Sequence, residues 1–251
     1  MTHISSPQNP RLKAVRRLAT RRERARSGHF AVEGEDLVRA AREAGRAAVE
    51  GYRLAGSELG EDGFHDVDPA VLRGVSTLGS GTRVIGVYEQ RWSEPVGPLC
   101  VYLHGVGDPG NVGTIVRSAH AFSASCVAFG PGCADPHSPK AVRASMGAIF
   151  AVALARVRDV AELPGERVAL SADAPELLRA PRAEGERAAL TLLVGAERDG
   201  LPPELVAACE RSARIAIAAD SLNAAMAATV ALYELTRGRD GAPGSSRVRA
   251  R

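Results

Sequence analysis

No apolar run in this sequence reaches the roughly eighteen residues needed to cross a bilayer, which excludes a membrane-spanning helix. The N-terminus opens polar and turns basic without an apolar core segment, so no secretory leader is read there. The four cysteines, Cys100, Cys126, Cys133 and Cys209, form no CxxC pair and have no histidine ladder beside them, which argues against a zinc site. Cys100, Cys126 and Cys209 sit among apolar residues and are expected to be buried free thiols, in keeping with a cytoplasmic protein. The glycine-rich stretch Gly105–Gly113 lacks the GK[ST] ending of a phosphate-binding P-loop. No internal repeat is visible. Lysine is nearly missing too: of 32 basic side chains, only Lys13 and Lys140 are lysine.

What is present fits a folded α/β protein. With 251 residues and 45% hydrophobic content, the chain can bury one large core or two modest ones. A net charge of +3 says little by itself, but its distribution is uneven. Arg11, Lys13, Arg16, Arg17, Arg21, Arg22, Arg24 and Arg26 face one acid, Glu23, in the same segment. The arginine bias overall is equally explained by a GC-rich genome. The local cluster has a phosphate backbone as its natural partner, and such binding weakens steeply with salt.

The sequence divides into residues 1–94, 95–238 and a glycine-, serine- and arginine-rich tail at 239–251 that is expected to be disordered. The first part reads as a small α/β module: a basic helix over Arg11–Arg24, a strand at Phe30–Val32, a helix at Glu35–Ala44, strands at Gly51–Leu54 and Val84–Tyr88, and a helix at Pro69–Val75. Glu94-Pro95-Val96-Gly97-Pro98 has linker chemistry. Beyond it, strand and helix patterns alternate, which predicts a largely parallel sheet flanked by helices. Expected strands are Leu99–His104, Cys126–Phe129, Ala151–Ala155, Val168–Ser171, Leu190–Val194 and Ala213–Ile217; expected helices are Val112–Phe122, Pro139–Ile149, Pro203–Cys209 and Leu222–Thr236.

Three short polar motifs follow apolar strands, where open α/β sheets place their sites. The first, Asp108-Pro109-Gly110-Asn111-Val112-Gly113-Thr114-Ile115-Val116-Arg117, reads as a strand-to-helix turn with Asn111 as the cap. Capping does not explain Arg117, a cation in an otherwise apolar helix. The second motif is Gly195-Ala196-Glu197-Arg198-Asp199-Gly200-Leu201, in which Glu197 faces the carboxyl edge of the sheet. In the third, Ser221-Leu222-Asn223, Asp220 or Ser221 serves as an N-cap to an alanine-rich helix. A further basic helix, Pro139–Ala148, carries Lys140 and Arg143 at helical spacing, and Ser145 and Gly147 are poor helix formers that suggest close approach to its backbone. A Rossmann dinucleotide site fits poorly, because no acid follows a second strand where Gly130-Pro131-Gly132 stands.

In their order and spacing, these motifs resemble the signatures of the SpoU (TrmH-like) branch of the SPOUT RNA methyltransferases. Ser6-Pro7-Gln8-Asn9-Pro10-Arg11 and Phe30-Ala31-Val32-Glu33-Gly34 resemble the opening of the L30e-like substrate-binding domain often fused ahead of it. The resemblance implies a C-terminal trefoil knot, S-adenosylmethionine as cofactor, a homodimer, and methyl transfer to a ribose 2′-hydroxyl of RNA. Ribosomal RNA, 23S in particular, is the expected substrate, with tRNA as the alternative. It implies catalytic roles for Arg117, Asn111, Glu197, Ser221 and Asn223. Cofactor contacts fall to Leu193, Val194, Gly195, Ile215, Ala216, Ile217, Leu222 and Asn223, with no metal. RNA contacts are expected from Arg11, Lys13, Arg16, Arg17, Arg21, Arg22, Arg143 and Ser145. For Arg117 two roles stand open: general base, or a guanidinium that binds phosphate and stabilises the alkoxide. The third motif departs from the family's usual Ile-Pro-Met start, reading Ile215-Ala216-Ile217 and running about two residues short. That departure keeps open an RNA-binding homologue without catalysis.

Overall fold

The computed structural model describes residues 2–78, 81–179, 189–219 and 221–237. The expected tail at 239–251 and the candidate cap Asp220 lie outside these. The N-terminal part is a five-stranded mixed sheet. Its strands are β1 (His3–Ile4), β2 (His29–Glu33), β3 (Glu50–Leu54), β4 (His65–Val67) and β5 (Val84–Glu89), in the order β1-β4-β3-β5-β2. The basic segment is two helices rather than one, α1 (Pro10–Arg17) and α2 (Arg21–Ser27). Thr20 interrupts them, its side chain accepting the Glu23 N–H as the cap of α2. Helices α3 (Glu35–Glu43) and α4 (Pro69–Arg73) complete the layer. Strands β1 and β4 are too short to show any periodicity in the sequence.

The second sheet has seven parallel strands: β6 (Leu99–Leu103), β7 (Cys126–Phe129), β8 (Ala153–Arg156), β9 (Glu166–Leu170), β10 (Glu176–Leu177), β11 (Leu190–Val194) and β12 (Arg211–Arg214). Their order is β10-β12-β9-β11-β6-β7-β8. Every residue of β6, β7 and β11 is buried, as expected of parallel strands covered on both faces. The chain runs outward from β6 to β8, returns to β9, and then inserts β11 between β9 and β6. The β6/β11 pair is therefore the switch point of the sheet, and its carboxyl end is where a crevice opens. Helices α5 (Pro109–Ala121), α6 (Pro139–Ser145), α7 (Pro203–Ala207) and α8 (Ala224–Thr236) flank the sheet.

Three boundaries differ from expectation by three residues or more. Helix α5 starts at Pro109, because Asp108 is the cap: its carboxylate accepts the Asn111 N–H at 3.0 Å and proline occupies the first turn. Helix α6 stops at Ser145, where Met146 (φ 49°) and Gly147 (φ 91°) turn left-handed before a 3₁₀ turn at Ala148–Phe150. Strand β12 leaves the sheet at Arg214, so Ile215–Ile217 are loop, not strand.

The two sheets share one core. Phe30, Val32, Leu37, Ala41 and Tyr88 pack with Ile149, Phe150 and Leu154 of the second part. The Phe150 ring lies 5.9 Å from Phe30 and 5.0 Å from Tyr88.

Candidate functional site

The three motifs converge at the carboxyl end of β6, β11 and β12. Asn111, in the first turn of α5, donates from Nδ2 to Glu197 Oε1 at 2.6 Å. Asn223 donates from Nδ2 to Asn111 Oδ1 at 3.1 Å. Asn223 is also the cap of α8, its Oδ1 accepting the N–H groups of Ala225 (2.9 Å) and Met226 (3.3 Å). The chain of donors and acceptors runs one way, from the backbone of α8 through two amides to a carboxylate. Each amide is thereby fixed in orientation and keeps one N–H uncommitted. Behind it, Lys140 Nζ pairs with Asp108 Oδ2 at 2.6 Å, and this pair together with the Asn111 N–H holds the Asp108 carboxyl below its ordinary range.

Beside this chain lies a cleft of about 1090 Å³. Its walls are the loop after β9 (Leu170–Asp173), the loop after β11 (Val194–Leu201) and the segment from Arg214 to Leu222. Glu197 belongs to both the cleft and the hydrogen-bond chain. Of the expected cofactor contacts, Val194, Gly195, Ile215, Ala216, Ile217 and Leu222 line the cleft, as does Ser221. Leu193 does not: it is 0% exposed and belongs to a buried cluster with Tyr102 and Ala169. Asn223 is held at the cleft's margin by its bond to Asn111 rather than in its lining. The backbone groups of Ile215–Ala219 form no hydrogen bond with any described residue, which leaves a row of donors and acceptors along the wall. Asp173 and Arg214, which the motifs did not single out, are charged lining residues. Their signal was position alone, since each lies at the end of a strand neighbouring β11 or β9.

Arg117 stands apart from this cluster. It is exposed in the third turn of α5 and makes no hydrogen bond or ion pair with a described residue. It shares the face of Asn111 and Thr114 at successive i, i+3 steps, about 9 Å along the axis from Asn111.

The candidate RNA contacts separate into two groups. Lys13, Arg17, Arg21 and Arg22 are exposed and unpaired among the described residues. Arg11 is instead paired with Glu50, and Arg16 is tied to the carbonyls of Pro7 (3.0 Å) and Gly74 (3.1 Å). Arg24 is withdrawn altogether: 3% exposed, it pairs with Asp135 at 2.7 Å. Arg143 reaches Thr77 Oγ1 at 3.3 Å across the domain seam. Ser145 is 0% exposed and donates to the Val142 carbonyl of its own helix, so it cannot meet RNA in this conformation. The close approach anticipated at Gly147 is real, but it comes from Ala40 of α3: a Cβ there would sit 2.5 Å from the Ala40 Cβ.

Residues 98–233 match the SpoU rRNA Methylase family, and residues 9–62 match the MRM3-like substrate binding domain. An uncharacterized tRNA/rRNA methyltransferase of Mycobacterium tuberculosis is 39% identical over 150 residues, covering 54% of this chain and 50% of that protein. The chain thus aligns with about half the length of that mycobacterial relative. The 23S rRNA (guanosine(2553)-2′-O)-methyltransferase of Bacillus subtilis is 27% identical across 94% of this chain and 99% of its own. The AdoMet-bound rRNA methyltransferase of Sinorhizobium meliloti superposes with a TM-score of 0.80 at 30% identity, covering 93% of this chain and 96% of its own. That structure repeats the fold across both sheets, and the matched family segment contains all three motifs that meet at the switch point. The chain belongs to the SpoU rRNA methylase family.

Proposed function

We propose that this chain is an S-adenosylmethionine-dependent methyltransferase acting on a ribose 2′-hydroxyl of 23S ribosomal RNA. The observation that carries this reading is the joining of Asn111, Glu197 and Asn223, from three distant motifs, into one hydrogen-bonded chain on the rim of a cleft. The cleft fits the cofactor chemically. Val194, Ile217 and Leu222 give apolar surface for an adenosine, and the free backbone groups of Ile215–Ala219 suit the edges of a base. The shortened third motif still forms this wall.

Bound S-adenosylmethionine would supply a methyl group on a sulfonium, which leaves as a neutral thioether without help from a metal. The residues of the chain handle the acceptor. As a permanent cation, the Arg117 guanidinium binds a substrate phosphate and stabilises the oxyanion that forms as the hydroxyl passes its proton to solvent. Asn111 and Asn223 orient the hydroxyl with their uncommitted N–H groups, and Glu197 locks Asn111. Ser221 on the cleft wall supplies a further hydroxyl. Lys13, Arg17, Arg21 and Arg22 hold the phosphate backbone. The working unit is a homodimer joined through α8, whose Met226, Val230 and Tyr233 are exposed at i, i+4 and i+7 beside Phe122.

Transfer of tritiated methyl from S-adenosylmethionine to unmethylated ribosomal RNA and to bulk tRNA tests the reading. Label in ribosomal RNA that blocks alkaline cleavage at one position is expected, with Arg117→Ala reducing the rate by roughly 100-fold or more. Label confined to tRNA would move the substrate. No label and no cofactor binding by calorimetry would leave an RNA-binding homologue.

A further inference from the structure

A second cleft, of about 290 Å³, opens at the seam between the two sheets, away from the proposed cofactor site. Trp92 forms one wall, with the Arg156 guanidinium 4.0 Å from its ring centroid. Arg46 and Arg91 stand on the rim, and Arg46 also lies over the Phe150 ring at 5.8 Å. The floor holds His137, which is 2% exposed, edge-to-face with Trp92 and tilted against Phe30, and without a hydrogen-bond partner at Nδ1. Its nearest acid, Asp135, is 3.7 Å away and engaged with Arg24. Burial pushes the His137 pKa down, so a neutral imidazole faces the cleft at neutral pH. Glu89 is the one acid among the lining residues. Arg46 donates to the Glu89 carbonyl at 2.9 Å, and burial, with a smaller contribution from the nearby Arg91, lowers its pKa against the pull of the Glu89 carboxylate.

We propose that this seam cleft is a nucleotide subsite for single-stranded RNA. A base stacks on Trp92 within reach of the His137 imidazole, and its phosphate sits between Arg46 and Arg91. An aromatic face, a stacked guanidinium and rim cations are the elements that hold unpaired nucleotides. The position suits a substrate strand. Arg156 ends β8 at the same carboxyl edge that carries Asn111, and β6 and β8 are separated by two strand spacings, about 10 Å. One strand of RNA can therefore touch both. The inference rests on the proposed RNA substrate and extends it to a contact from the seam itself, outside the basic helices.

Trp92 is the single tryptophan of the chain, so its fluorescence reports on this cleft alone. The full-length protein is titrated with a single-stranded RNA hexamer, and separately with inorganic phosphate and an acidic peptide. The RNA is expected to quench Trp92 saturably, while phosphate and peptide are not. Arg91→Ala and Arg156→Ala, both exposed positions, are each expected to weaken the RNA effect at least about fivefold. Arg91→Ala should also lower the salt slope by about one. In methyl transfer, Arg91→Ala is expected to raise KM for RNA and leave kcat unchanged. Absent quenching, quenching indifferent to both substitutions, or quenching by the peptide and not the RNA would overturn the subsite. Should methyl transfer proceed while Trp92 stays silent, the subsite fails and the enzyme reading stands. Quenching without any methyl transfer would keep the subsite and remove the enzyme.

Discussion

Asn223 does two jobs with one amide: its Oδ1 caps α8, and its Nδ2 positions Asn111. The two can be separated by substitution. Asn223→Ala removes the cap and should cost about 1 kcal/mol of stability, whereas Asn223→Ser retains a capping oxygen and should stay within a few tenths. Both lose the donor to Asn111, so both are expected to reduce methyl transfer alike. Denaturant unfolding of the two variants beside their rates checks this; activity that follows stability instead would reduce Asn223 to a cap. The residues of this chain were legible in the sequence because each stood at a strand end. Which of them capped was not. Asp108 and Asn111, and likewise Asp220, Ser221 and Asn223, are all good caps within one turn of each other, and propensity does not rank them. Arg24 was unreadable for another reason: it lies among seven other basic residues, and the Asp135 that buries it is 111 positions away.

Helices α5 and α6 pack closely at Gly113, where an added Cβ would overlap the Ala141 carbonyl oxygen and lie 2.7 Å from the Ala144 Cβ. Backbone is opposed to backbone there, so no rotamer change relieves the clash. Gly113→Ala is expected to destabilise by roughly 1–3 kcal/mol despite alanine's better helix propensity, because overpacking outweighs it. It should also displace the Asp108–Lys140 pair, which links the same two helices near the site. A Tm no lower than that of the parent protein would show that the helices can part at little cost. At this scale, legibility followed burial. Strands β6 and β7 are continuous apolar runs, β11 is one broken only by Thr191, and all three were placed within a residue. Strand β12, Arg-Ser-Ala-Arg, is a strand only through its pairing with β9 and β10, and the neighbouring apolar Ile215–Ile217 drew the expectation into the loop. The break in α6 went unseen because Met146 takes a left-handed φ that its side chain does not favour.

For the molecule as a whole, the seam between the two sheets is pinned by a buried charge cluster with a definite pH response. Arg24 gives Asp135 Oδ2 a bond from Nε (2.8 Å) and sends Nη1 to the carbonyls of Leu18 (2.8 Å) and Ala19 (2.9 Å). The Asp135 carboxylate also accepts the backbone N–H of His137 at 2.9 Å. Burial by itself would raise the Asp135 pKa, but the bonds from His137 and Arg24 outweigh it and hold the carboxyl well below the usual range. For a carboxyl depressed in the folded state, the stabilisation is complete above the unfolded pKa of about 3.9 and is lost as pH falls below it. His137 acts in the same direction at milder acidity: burial depresses its pKa, so the unfolded chain takes up the proton first as pH drops through about 6.5. Stability should therefore begin to fall near pH 6.5 and fall further below pH 4. Asp135→Asn is expected to cost about 3–5 kcal/mol at neutral pH, since Arg24 is left buried without its counter-charge, and to flatten the limb below pH 4. Urea unfolding from pH 3 to 8 measures both. If the parent and variant curves run parallel through the acid range, the acid sensitivity arises elsewhere, and the seam is held by the packing of Phe30, Tyr88 and Phe150 rather than by its charges.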